Sequence, residues 1–133
     1  MKYAVVVSRV LLGLAFVVFG LNILFPFLPM PPVVEGSLPY QFWGVMGPTH
    51  WMTLVGVFQV VGGALVLSGK MAPLGLALLA PILVNILAFH CLLEGGQGIA
   101  PGLVFSALEI FLIYSYRSYF RPLITTHAVP THT

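Results

Sequence analysis

Four apolar stretches, near residues 5–26, 50–68, 72–92 and 102–119, dominate this chain, and seven of its eight charged residues lie between them or near their ends. A helix that crosses the hydrocarbon core of a bilayer needs about 20 mostly apolar residues, and each stretch approaches that length. In lipid a helix satisfies its own backbone polar groups, so a bundle of such helices is the arrangement these stretches predict. The composition agrees. The chain is 59% hydrophobic and 6% charged, whereas soluble domains carry about 25% charged residues. A soluble fold of 133 residues leaves too much of itself facing solvent to hide that apolar surface. The expected fold is an all-α integral membrane protein. Its predicted parts are a single four-helix domain over residues 1–121 and a flexible tail over 122–133.

The separators are sharp. Pro26, Pro29, Pro31 and Pro32 end the first helix, since proline cannot continue the hydrogen-bond ladder. Ser68-Gly69-Lys70 is a tight turn with Pro73 just inside the next helix. Glu94-Gly95-Gly96-Gln97-Gly98 and Pro101 divide the third helix from the fourth. The long loop before His50 carries Tyr40, Phe42 and Trp43. Its segment Leu38–Met46 is expected to cap the bundle at the interface, with a lid over a cavity as the alternative.

Charge gives an orientation. Lys2 and Arg9, Lys70, and Arg117 and Arg121 alternate along the chain with Glu35 and Glu94. With four spans, all five Lys/Arg lie on one side, and the positive-inside tendency makes that side cytoplasmic with both termini. The N-terminal segment imitates a signal peptide, but its apolar run continues to Phe25 and no small-x-small cleavage site follows. It reads as a retained helix. The net charge of +2 reflects membrane-edge positives and gives no reason to expect nucleic acid as a partner.

The eighth charge, Glu109, lies inside the fourth apolar stretch. A carboxyl group at such a place pairs, takes up a proton or marks a pathway. Counted inward from the outer helix ends at about 1.5 Å per residue, Asn22 and His90 lie about 6 Å deep, Glu109 about 10 Å, and Asn85 and Gln59 about 13 Å. Each helix thus offers a polar group to the outer half. Gly56, Gln59 and Gly63 share one helical face, and so do Gly102, Ser106, Glu109, Ile113 and Tyr116. Ser8, Ala15 and Asn22 repeat every seven residues. Asn85 follows Pro81 by one turn, and that proline frees the carbonyl of Ala77. A convergent pocket of Glu109, Asn85, His90, Gln59 and Asn22 is the expectation, with proton handling or ligand binding as its role. The competing reading makes Glu109 a structural hydrogen-bonding group of the bundle.

No metal site is expected. His90 and Cys91 are adjacent and face different ways on a helix, while His90 and Glu94 are one turn apart and suit a local pair. A single cysteine forms no disulfide. The sequence has no phosphate-binding loop, CxxC, HExxH or Ser/His/Asp pattern, so a self-contained enzyme is hard to build from this inventory.

Several stretches resemble the DoxX-like family of small four-helix membrane proteins. They are Gly-Leu-Ala-Phe-Val-Val-Phe-Gly-Leu-Asn (13–22), Phe-Leu-Pro-Met-Pro-Pro (27–32), Gly-Gly-Ala-Leu-Val-Leu-Ser-Gly (62–69), Ala-Pro-Ile-Leu-Val-Asn-Ile-Leu-Ala-Phe-His (80–90) and Tyr-Phe-Arg-Pro-Leu (119–123). The Val-Asn-Ile-x-x-Phe-His run is the most specific. Relatives often carry Glu where this chain has Gln59, so a proton-carrying role does not transfer to that position, while hydrogen bonding does. The resemblance implies kinship with a small subunit of a quinol oxidase and with membrane subunits of a thiosulfate:quinone oxidoreductase. It therefore implies a redox-linked, quinone-associated subunit in a bacterial or archaeal cytoplasmic (inner) membrane, with no intrinsic cofactor and quinone as the candidate ligand. The alternatives are an accessory subunit of a larger membrane complex or homo-oligomer, and a transporter of lipids or small molecules. The bilayer is a partner in all three.

Overall fold

The computed structural model describes residues 1–132, and Thr133, the end of the expected tail, lies outside them. Four long helices form the body: α1 (Lys2–Leu24), α3 (Trp51–Ser68), α4 (Ala72–Ala88) and α5 (Ala100–Ser115). Between the first two lies the short α2 (Leu38–Met46), and α5 is followed by α6 (Arg117–Phe120) and a 3₁₀ turn, Arg121–Ile124. No strand occurs among the described residues. α1, α3 and α4 with its extension to Leu93 are long and apolar enough to cross a bilayer, whereas α5 is shorter.

Two features depart from the predicted boundaries. α4 does not run as an α-helix to residue 92 but widens into a π turn over Phe89–Leu93. The last helix breaks at Tyr116, so the stretch predicted as one helix to 119 is two pieces. Neither departure alters the apolar run that hydropathy measures, which is why the sequence hid both.

Contacts close the four long helices into a ring in the order α1, α3, α4, α5. The seams are built differently. At α1–α3 the backbones meet through two glycine pairs seven residues apart. A methyl group on Gly13 would come within 2.7 Å of the Gly63 carbonyl, and one on Gly63 within 2.9 Å of the Gly13 carbonyl. Gly20 and Gly56 face each other in the same way, at 3.0 and 3.2 Å. Gly62 turns instead to α4, where a methyl on Gly75 would lie 2.7 Å from its carbonyl. Close backbone approach through small residues is how membrane helices gain packing where lipid gives no hydrophobic drive. α5 has no such seam: a methyl on Gly102 would meet only the side chains of Leu87 and Ile86.

Leu12, Phe16, Val66, Leu76, Leu79, Leu83 and Leu112 fill the centre. At the end of the bundle that carries Glu35 and Glu94, α2 lies over the π turn. Phe42 and Trp43 pack edge-on against Phe89 with ring centres 5.1 and 5.8 Å away. The capping role expected of Leu38–Met46 thus has an aromatic basis. Lys2, Arg9, Lys70, Arg117 and Arg121 belong to the opposite, basic end.

Candidate functional site

Two of the five residues expected to converge are buried side chains of the bundle interior. Gln59 is 5% exposed and Glu109 is 4% exposed. They stand on α3 and α5, which are diagonal in the ring. Their counted depths are similar. Gln59 lies eight residues from Trp51 and Glu109 nine from Ala100, about 12 and about 13 Å from the acidic ends of their helices. Ser106, one turn from Glu109, faces the same interior. The Gln59 Oε1, the Ser106 Oγ and both carboxyl oxygens of Glu109 are buried without a protein hydrogen-bond partner.

That condition is unusual, because most buried polar side-chain atoms find at least one partner. It also decides against a structural hydrogen bond from Glu109 to Asn22, Gln59 or Asn85, since none is formed. Chemically these three residues offer a carboxyl group, an amide and a hydroxyl inside a bundle whose core includes Phe16 and Leu83, with Phe105 packed against it. Phe16 and Phe105 meet edge to face at 6.2 Å. Such a set can both donate to and accept from a small carbonyl or hydroxyl group.

The other three residues do not join this set. Asn22 is buried, but its Oδ1 accepts from the backbone amides of Phe27 and Leu28 at 2.9 and 2.8 Å. It ties the end of α1 to the proline-rich loop. Asn85 is exposed on the outer surface of α4, and its amide donates to the Pro81 carbonyl at 2.8 Å. The expected pocket residue faces away from the bundle. The buried positions of α4 include Leu79 and Leu83, and a residue two further on points elsewhere. His90 pairs with Glu94 at the acidic end, as the one-turn spacing predicted, and its Nδ1 also lies 3.1 Å from the Gln97 carbonyl. A five-residue outer pocket is therefore replaced by a smaller interior layer.

Ser106 was legible only as part of a stripe, and its spacing from Glu109 was the available signal. Arg9 was harder. It reads as a snorkelling residue, yet its Nε is buried without a partner and its Nη1 donates to the Tyr116 hydroxyl at 3.4 Å. Its place seven residues inside α1 was the signal.

The DoxX family model matches residues 4–91, from the first turn of α1 into the π turn. No curated protein matches the chain, nor does any solved structure. The matched stretch holds Asn22, Gln59, Asn85 and His90 and stops before α5, so Ser106 and Glu109 lie beyond it.

Proposed function

The chain belongs to the DoxX family, and from that premise we propose that it is a small integral membrane subunit whose interior binds a quinone or a similar apolar carbonyl compound. Gln59, Ser106 and Glu109 supply the polar contacts, and a partner subunit carries the redox centre. In this reading α5, continued by α6 from Ala100 to Phe120, gives about 30 Å of helix and completes a fourth crossing. The basic end faces the cytoplasm together with both termini.

One observation carries the proposal: the Glu109 carboxyl group is buried among apolar side chains with no protein partner, level with an unpartnered Gln59. A site built to hydrogen-bond a ligand keeps such groups despite their cost. The test is to purify the chain with its native lipids, extract it and quantify quinone by mass. Wild type is expected to retain quinone, and Glu109→Leu and Gln59→Leu to lose most of it. Quinone-free wild type, together with unchanged binding of added quinone in both variants, would sink the reading.

A second reading, an accessory subunit held in a larger complex or homo-oligomer, is favoured by Asn85. An amide exposed on the lipid-facing surface is a group that a neighbouring helix would hydrogen-bond. It predicts stoichiometric co-purification of a partner chain that Asn85→Leu disrupts, while a wild-type chain isolated alone and stable would oppose it.

A further inference from the structure

At the basic end, Arg9 is a cation without a counter-ion among the described residues. It lies seven residues inside α1, about 10 Å from its first turn, but level with the α3–α4 turn, because its guanidinium rests directly on Gly69. The ion pair found among the described residues is His90 with Glu94, at the far end of the bundle. The remaining acidic side chains, Glu35 and Glu109, lie in the acidic-end loop and the bundle interior. Arg9 is left with one long hydrogen bond, to Tyr116, and its Nε has none. Charges at membrane depth ordinarily find a partner.

Gly69 and Tyr116, the two residues that touch the guanidinium, are also walls of a cleft of about 460 Å³. Met71, Ala72, Pro73, Leu74 and Tyr119 complete its lining. The Arg9 guanidinium lies behind the Gly69 and Tyr116 wall and is not itself part of the lining, and the rest of the cleft is apolar or aromatic. At the start of α4, Ala72 and Leu74 also hold amides for which the helix has no acceptor. Lys2, Lys70, Arg117 and Arg121 surround the same end and concentrate anions there.

We propose that this cleft is a binding site for a phosphate-bearing headgroup, with the Tyr116 hydroxyl on its wall and the Arg9 guanidinium behind that wall supplying the charge. Guanidinium and phosphate match in geometry and charge. The apolar walls of Met71 and Leu74 suit the glycerol and first methylenes of a lipid, and free phosphate is the other source of the same group. The site is separate from the interior layer around Glu109 and does not depend on it.

The experiment uses the full chain in a mild nonionic detergent, with dioleoyl phosphatidylglycerol, dioleoyl phosphatidylcholine and inorganic phosphate as probes. Bound lipid is read by native mass spectrometry and phosphate by thermal shift. Phosphatidylglycerol occupancy is expected to exceed that of phosphatidylcholine roughly fivefold, about what one basic residue contributes near an anionic surface. Arg9→Gln should remove that preference and Tyr116→Phe should reduce it, while Arg121→Gln, outside the cleft, should leave most of it. Stabilisation by phosphate that needs Arg9, without a lipid preference, would assign the same site to free phosphate. Should Arg9→Gln fail to fold, Arg9→Lys serves, since it keeps the positive charge but loses the guanidinium fork and should lower occupancy. Equal occupancy by the two lipids with no phosphate effect, or an equal loss in Arg9→Gln and Arg121→Gln, would overturn the site.

Discussion

Asn22 gives its carboxamide oxygen to two backbone amides, whereas Glu109 meets no protein donor or acceptor at all. Both are buried polar residues, and replacing each should have opposite effects. Asn22→Ala leaves the Phe27 and Leu28 amides without their acceptor and should cost about 1–3 kcal/mol, read as a lower midpoint of thermal unfolding in detergent. Glu109→Leu removes an unsatisfied group and substitutes an apolar one of similar bulk, which is nearly neutral or stabilising when both sides of an interaction are apolar. Its midpoint should hold or rise while ligand retention falls. A sharp drop in stability would return Glu109 to the structural role that its unpartnered oxygens argue against. Depth along the bundle axis was legible for these residues, because it needs only a count from the helix end. The direction around the axis was not. Asn85 and Leu83 differ by two positions and face apart, and the run of apolar residues on every side of α4 gave no amphipathic face from which to read it.

Among the elements, α3 is fixed by adjacent glycines that serve different neighbours, Gly63 toward α1 and Gly62 toward α4. Gly13→Ala and Gly63→Ala should each destabilise by about 1–3 kcal/mol, the usual cost of overpacking a tight contact. Gly44 in α2 has nothing within reach of an added methyl group. Gly44→Ala should be neutral or stabilise by up to about 1 kcal/mol, because alanine is the better helix former. Unfolding midpoints of the three variants check the contrast. The stripe Gly56, Gln59, Gly63 was readable in advance, since small residues at helical spacing announce close approach. The π turn at Phe89–Leu93 and the break at Tyr116 were not, because each redirects hydrogen bonds without changing composition.

At the scale of the whole molecule, the charge map is the part the sequence carried best. Five cations at one end and Glu35 and Glu94 at the other follow from where the apolar runs stop. Orientation can be tested with the molecule's own single thiol. Cys91 is exposed in the π turn beside Glu94. In intact cells a membrane-impermeant maleimide should label it without permeabilisation. A cysteine placed at Lys70 in a Cys91→Ser background should label only after permeabilisation, and the reverse pattern would invert the topology.

The uneven seams of the ring also bear on traffic. Where backbones touch, as at Gly13–Gly63 and Gly62–Gly75, nothing can part without separating whole helices. Where only side chains touch, as between Gly102 and Leu87, a change of rotamer is enough. The α1–α3–α4 unit is therefore the tightly seamed part of the ring, and α5, which carries Ser106 and Glu109, is joined to it at Gly102 through side chains. Under the proposed quinone-binding role, the ligand's way to Glu109 would be sideways from the bilayer along an edge of α5.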